Sequence, residues 1–175
     1  GWAVSGIGHC HPKVVEALRE QAGELLHIDN TFYNEKQGQL AKLLSDRSFG
    51  GKCFFCNSGA EANEAALKLA RIHTGRDKYK YITTEKSFHG RTFATVTASA
   101  QPKYHDGFMP MLPGFDYIPF NDIEVLEKAF TDEVAAVMVE PIQGEGGINV
   151  ASDDFMRSVR QLCNEKNALM ILDEV

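Results

Sequence analysis

Apolar residues recur along this chain with two periods, and the change from one to the other outlines a fold. Val15, Leu18, Ala22, Leu25 and Leu26 share one face of a helix expected over Pro12 to His27, and Pro12 suits its first turn. Leu40, Leu43 and Leu44 form a second stripe within about Glu35 to Asp46, after which Gly50-Gly51 breaks the chain. Short apolar runs then alternate with helical stretches. Strands are expected at Lys52 to Cys56, Tyr79 to Thr83, Tyr117 to Pro119, Ala135 to Val139 and Leu169 to Asp173. Helices are expected at Ala60 to His73, closed by Gly75, at about Gly90 to Ala98, from a cap at Asp122 to Phe130, and at Asp153 to Lys166. In the last of these, Phe155, Val159, Leu162 and Cys163 lie on one face. Gln101 to Gly114, with three prolines, reads as an irregular loop, and Gln143 to Gly147 as a glycine-rich loop.

Strands separated by helices of this length need crossover connections, so the fold class is α/β: a mainly parallel sheet with flanking helices. Ligands of such sheets sit at the carboxyl ends of the strands. Residues 1–46 then form a helical N-terminal segment leading into a domain over 47–175. The chain opens on Gly1 rather than Met and closes on Leu172-Asp173-Glu174-Val175, where an apolar run meets two acids, so both ends are expected to be cut.

Composition narrows the function classes. With 175 residues, 43% hydrophobic and 24% charged, the chain can bury a real core. A net charge of −6 without a basic stripe argues against a nucleic-acid partner. No stretch approaches the roughly 20 apolar residues of a membrane span. Of the four cysteines, Cys53 and Cys56 form a C-x-x-C that lacks the second ligand pair a zinc site needs. Bracketing two phenylalanines in an expected strand, they are read as buried thiols on opposite faces. Nothing suggests disulfides, so a reducing cytoplasm is the expected compartment.

Three segments carry candidate chemistry. Asn57-Ser58-Gly59-Ala60-Glu61-Ala62-Asn63-Glu64 follows a strand and opens a helix, and Ser58 and Glu61 have capping-box spacing. Gly59 allows close backbone approach, and the helix start offers unpaired N–H groups to a phosphate, although the same motif also serves as a plain cap. Neither a Walker loop nor G-x-G-x-x-G is present, which disfavours a nucleotide-binding module. Ser87-Phe88-His89-Gly90-Arg91-Thr92 places an aromatic that can stack on a flat ring and an arginine that can grip a carboxylate, or else a packed loop with a surface arginine. Asp173 ends the last strand. An acid there can hold a protonated pyridine nitrogen, with Val175 on the same side if the strand continues, or can be a surface acid. Glu140 and Glu145 follow a buried strand, as acids that orient a substrate amine or hold the substrate arginine neutral by pairing, or as structural salt-bridge partners.

Taken together, these segments resemble a known family. Gly8-His9-Cys10-His11-Pro12, Phe55 to Glu64, Ser87 to Thr92, Val139-Glu140-Pro141-Ile142-Gln143-Gly144-Glu145-Gly146-Gly147 and Leu172 to Val175 stand in the order found in class III pyridoxal-phosphate (PLP)-dependent aminotransferases. Asn30 to Tyr33, Pro113-Gly114-Phe115 and Phe120-Asn121-Asp122 are most similar to the acetylornithine aminotransferase branch. The resemblance runs nearly end to end and implies part of the large domain of a fold-type I PLP-dependent transferase. It implies that Ser58, Gly59 and Ala60 hold the cofactor phosphate, that Phe88 stacks on the pyridine ring with Val175 opposite, and that Asp173 pairs with the ring nitrogen. Arg91 would bind the α-carboxylate of the acylated ornithine, and Glu145 would sit in the substrate pocket.

The implied reaction moves the terminal amine of N-acetylornithine to 2-oxoglutarate, as in arginine biosynthesis. Its partners are small amino and 2-oxo acids, and the full enzyme would be a homodimer. The family's Schiff-base lysine lies beyond the Asp-Glu-Val segment, whereas the last lysine here is Lys166, inside an expected helix. The 175-residue piece alone is therefore expected to be inactive. Other ω-aminotransferases, of the ornithine, 4-aminobutyrate or succinyl-diaminopimelate type, share the Phe88 and Arg91 pattern and stay open as alternatives, as does a non-catalytic fragment.

Overall fold

The run Val134-Ala135-Ala136-Val137-Met138-Val139 is apolar at every position, which suits a strand covered on both faces. In the computed structural model, which describes residues 4–175, it forms β3 (Val134–Val139), and all six of its residues are buried. With β1 (Lys80–Thr84), β2 (Phe115–Ile118) and β6 (Leu169–Leu172) it makes a four-stranded sheet in the order β2-β1-β3-β6, parallel throughout. The register of β1 on β3 slips between Lys80 and Tyr81.

Alternation along the strands divides the core between the two faces of the sheet. On one face, Ile82, Val137 and Val139 pack with Leu126 of α6 (Ile123–Ala129) and with Phe155, Val159 and Cys163 of α7 (Asp153–Glu165). On the other, Tyr81, Ala136 and Met138 meet Leu67 and Ala70 of α3 (Gly59–Thr74) and Ala98 of α4 (Phe93–Ala98). Burying the Phe155 side chain contributes about 1.5–3 kcal/mol. Desolvation also pushes the Cys163 thiol up to about 11, so it stays a neutral core group. Helix starts follow their cap residues. The Asp122 carboxylate accepts from Val125 N–H at 3.0 Å, and the Ser152 hydroxyl from Phe155 N–H at 3.2 Å.

The chain divides into two units, Gly1–Phe55 and Cys56–Val175. The first contains α1 (Pro12–Glu24) and α2 (Glu35–Asp46), the latter capped by the Asn34 side chain. Neither helix buries a residue, so the stripes of Leu18, Leu40, Leu43 and Leu44 are exposed. The first three residues of the expected 1–46 segment lie outside the described residues.

Several expectations need correcting. Lys52 to Cys56 is not a strand: all five residues are exposed, and among the described residues no ladder pairs with the segment. Cys53 and Cys56 are consequently exposed thiols rather than buried ones. The helix expected from Gly90 begins only at Phe93, because Gly90 has φ +133° and the hydroxyl of Thr95 accepts from Thr92 N–H at 3.0 Å to start the first turn. The loop after Gln101 contains a short helix, α5 (Pro102–His105), with proline in its first turn. The glycine-rich loop at Gln143 to Gly147 is the turn of a small antiparallel pair, β4 (Ile142–Gln143) and β5 (Asn149–Val150). The first helix ends at Glu24 rather than His27, and the strand expected at Tyr117 to Pro119 runs over Phe115–Ile118.

Candidate active site

Because β1, β3 and β6 are parallel, the segments that follow them leave from one edge of the sheet: residues 85–92, 140–150 and 173–175. The head of α3 belongs to the same place. Its residue Asn63 is 6% exposed and stands one helical turn from Leu67 and two from Ala70, so a polar side chain interrupts the stripe that α3 buries. The Asn63 amide donates to the His89 carbonyl at 2.8 Å and to the Asp173 carboxylate at 2.7 Å. One side chain thus ties α3 to the loop after β1 and to the end of β6.

Asp173 is buried, and its carboxylate collects three donors. Besides Asn63, His89 Nδ1 lies 2.8 Å from Oδ2, and Val175 N–H reaches Oδ1 at 3.2 Å. An ionised carboxylate only accepts, so His89 carries its proton on Nδ1. Burial raises the Asp173 pKa, but the hydrogen bond and electrostatic pull of His89, with the bonds from Asn63 and Val175, outweigh it and hold the carboxyl below its ordinary range. The sheet edge therefore holds a buried anion. His89 Nε2 is itself buried and has no hydrogen-bond partner among the described residues.

The start of α3 is built for close approach. The Ser58 hydroxyl accepts from Glu61 N–H at 3.2 Å. The Glu61 carboxylate reaches one residue further back than a simple capping box, to Asn57 N–H at 2.7 Å. Among the described residues this leaves the amides of Gly59 and Ala60 as orphan donors at the helix head. A Cβ on Gly59 would lie 2.8 Å from Val175 Cγ2, and one on Gly90 would lie 2.8 Å from Ala60 Cβ. Both glycines are required by these contacts, which seat the end of β6 and the 85–92 loop against the helix start. The Thr92 hydroxyl also donates to Glu64.

A second group continues from Phe88, which neighbours His89 in the chain. Phe88 is half-buried, and its N–H donates to Glu140 at 3.0 Å. Burial pushes the Glu140 carboxyl above its ordinary range against the pull of the Phe88 and Gly144 N–H groups. The Phe88 ring packs edge-on to Tyr104 with centroids 5.4 Å apart. The Arg91 guanidinium lies 4.4 Å from the Tyr104 ring centroid and 5.7 Å from that of Phe88, and the Tyr104 hydroxyl donates to Glu145 at 3.3 Å.

The structure thus gathers the sequence-predicted residues into two adjoining groups. Ser58, Gly59, Ala60, Asp173 and Val175 form one, and Phe88, Arg91 and Glu145 the other. Sequence reading missed Asn63, His89 and Tyr104 as working members. Asn63 had a legible signal, a polar residue within an apolar helical stripe. His89 and Tyr104 had none, since their partners lie 84 and 41 residues away.

A sheet edge with orphan amides, a buried anion and an arginine beside aromatic rings suits a phosphorylated, nitrogen-containing ring and a carboxylate substrate. Comparison with known proteins agrees. A family model described as aminotransferase class III matches residues 1–175. Acetylornithine aminotransferase of Caldanaerobacter subterraneus subsp. tengcongensis is 55% identical over 179 aligned positions, covering 100% of this chain and 46% of the relative. Its namesake in Methanocaldococcus jannaschii is 52% identical, with 100% and 45% covered. The chain thus spans somewhat under half the length of these relatives. Among solved structures, the taurine:2-oxoglutarate aminotransferase of Bifidobacterium kashiwanohense, in complex with PLP and glutamate, superposes with a TM-score of 0.91 at 29% identity, over 98% of this chain and 44% of that one. With the family model matched from end to end, this chain belongs to the class III aminotransferases.

Proposed function

We propose that this chain supplies the cofactor-binding face of an aminotransferase that moves the terminal amino group of N-acetylornithine to 2-oxoglutarate. The observation that carries this reading is the buried Asp173 carboxylate, held by Asn63 and His89 beside the open head of α3. The residues present fit PLP. The Ser58 hydroxyl and the amides of Gly59 and Ala60 would take its phosphate, the ring would lie between Phe88 and Val175, and Asp173 would face the ring nitrogen. When bound, the cofactor supplies the electron sink that accepts the pair left when a substrate carbon loses its proton. Asp173, held as an anion, would favour a proton on the pyridine nitrogen. Phe88 would exclude water from the ring face. Arg91 would grip the substrate α-carboxylate with two parallel N–H bonds, and Glu145 would sit beside the second substrate.

The covalent lysine, and with it turnover, is assigned to parts of the longer relatives that this chain does not span. The 175-residue chain alone is expected to be inactive. Residues 47–175 are read as part of the cofactor-binding domain and residues 1–46 as a helical lead into it. A homodimer in a reducing cytoplasm completes the proposal. Among the described residues no helix is long and apolar enough to cross a membrane.

The test is a coupled glutamate assay on the complete gene product with N-acetylornithine, ornithine and 4-aminobutyrate as donors. N-acetylornithine should give the highest kcat/KM, and Arg91→Ala should lower it about thirtyfold or more by removing one partner of a charge pair. A product that prefers ornithine or 4-aminobutyrate would refute the substrate assignment. One that retains no PLP would refute the whole reading.

A further inference from the structure

We infer that Tyr104 is a positioning residue that keeps Arg91 and Glu145 apart, so that the arginine stays free for a carboxylate. The inference rests on the proposed role of Arg91 and adds a residue to it. Both side chains end on the same tyrosine. The Arg91 guanidinium lies over its ring at 4.4 Å, while the Glu145 carboxylate accepts from its hydroxyl at 3.3 Å. Phe88 packs edge-on at 5.4 Å and Lys103 Nζ lies 4.6 Å from the ring centroid, so Tyr104 is fixed from several sides. Among the described residues Arg91 forms no ion pair with a carboxylate, although Glu145 reaches the same tyrosine.

The chemistry explains why a tyrosine suits this position. An aromatic face holds a guanidinium through the ring quadrupole and uses none of its N–H groups. All five donors of Arg91 remain available, including the fork that binds a carboxylate through two bonds. A glutamate pairing directly with Arg91 would occupy that fork and offset its charge, competing with the substrate. An exposed ion pair is weak, so a phenol hydrogen bond of similar strength is enough to decide where Glu145 rests. Tyr104 supplies both parts, a ring for the cation and a hydroxyl for the anion.

The experiment uses the complete gene product in steady-state assays with the amino donor, comparing wild type, Tyr104→Phe, Glu145→Gln and the double variant. Tyr104→Phe keeps the ring and releases Glu145. It should raise the donor KM about two- to tenfold, the size of one net hydrogen bond, while kcat changes less than KM. In the Glu145→Gln background the same substitution should have no further effect on KM, because no anion remains to be released. Tyr104→Leu, which also removes the ring, should raise KM further and should not be rescued by Glu145→Gln. An equal KM penalty from Tyr104→Phe in both backgrounds, or none in the wild-type background, would overturn the inference. Arg91→Ala run alongside separates the two claims. If it leaves the donor KM unchanged, the carboxylate role of Arg91 fails and the inference falls with it. If it raises KM while Tyr104→Phe does not, only the inference fails.

Discussion

Replacing Asn63 by alanine should cost more stability than any comparable change on the exposed face of α3. Its amide makes two buried bonds, to the Asp173 carboxylate at 2.7 Å and to the His89 carbonyl at 2.8 Å. The first is charge-assisted and contributes about 1.5–3 kcal/mol, and orphaning the buried carbonyl costs about 1–3 kcal/mol more. Allowing for overlap between the two, Asn63→Ala should destabilise the protein by about 3–4 kcal/mol, a large part of the roughly 5–15 kcal/mol that holds a domain together. Asn63→Asp should be worse still, because it sets a second carboxylate against Asp173. The assay is urea unfolding of the complete gene product at neutral pH, followed by circular dichroism. Acidification gives a second reading. Asp173 has a folded pKa below its unfolded value, so its stabilisation is present above the unfolded value and is lost as pH falls through the folded one. Asn63→Ala removes one of the contacts that depress this pKa, so the gap between variant and wild type should narrow in acid. An Asn63→Ala protein within about 0.5 kcal/mol of wild type would refute the reasoning, since it would mean that Asp173 and the His89 carbonyl find other partners at no cost.

Two further outcomes follow from the same contacts. Gly59→Ala places a Cβ 2.8 Å from Val175 Cγ2 and should cost about 1–3 kcal/mol by overpacking, with Val175→Ala restoring most of the loss; additive effects in the double variant, measured by urea unfolding, would show that the two residues do not touch. Glu140 has a raised folded pKa, so the stability it contributes is complete below its unfolded value and declines as pH rises through the folded one. Glu140→Gln cannot ionise, so its stability relative to wild type should improve as pH rises from about 4 to 8, and parallel curves for the two proteins would contradict this.

The amino-acid order alone determined the alternation of strands and helices, because periodicity is local and survives without knowledge of neighbours. It located α2, α3, α6, α7 and the central strand to within a residue or two, and Ser58 and Asp122 cap their helices as expected, although Glu61 reaches back to Asn57 rather than closing the box on Ser58. It also selected the residues that gather at the sheet edge, since Ser58, Phe88, Arg91, Glu145 and Asp173 each follow or open an element in a recognisable motif. Tertiary structure alone decided what depends on a distant partner. Lys52 to Cys56 has the composition of a strand but no ladder among the described residues, so its thiols stay exposed. The ionisation of Asp173 is set by Asn63 and His89, which lie 110 and 84 residues away along the chain. The Arg91 guanidinium rests on the ring of Tyr104, a loop residue by composition that the fold turns into a platform. Local pattern fixes which backbone conformation each segment prefers. The charge state and freedom of a functional group depend on atoms brought to within about 3 Å of it by folding, and no window of sequence contains them.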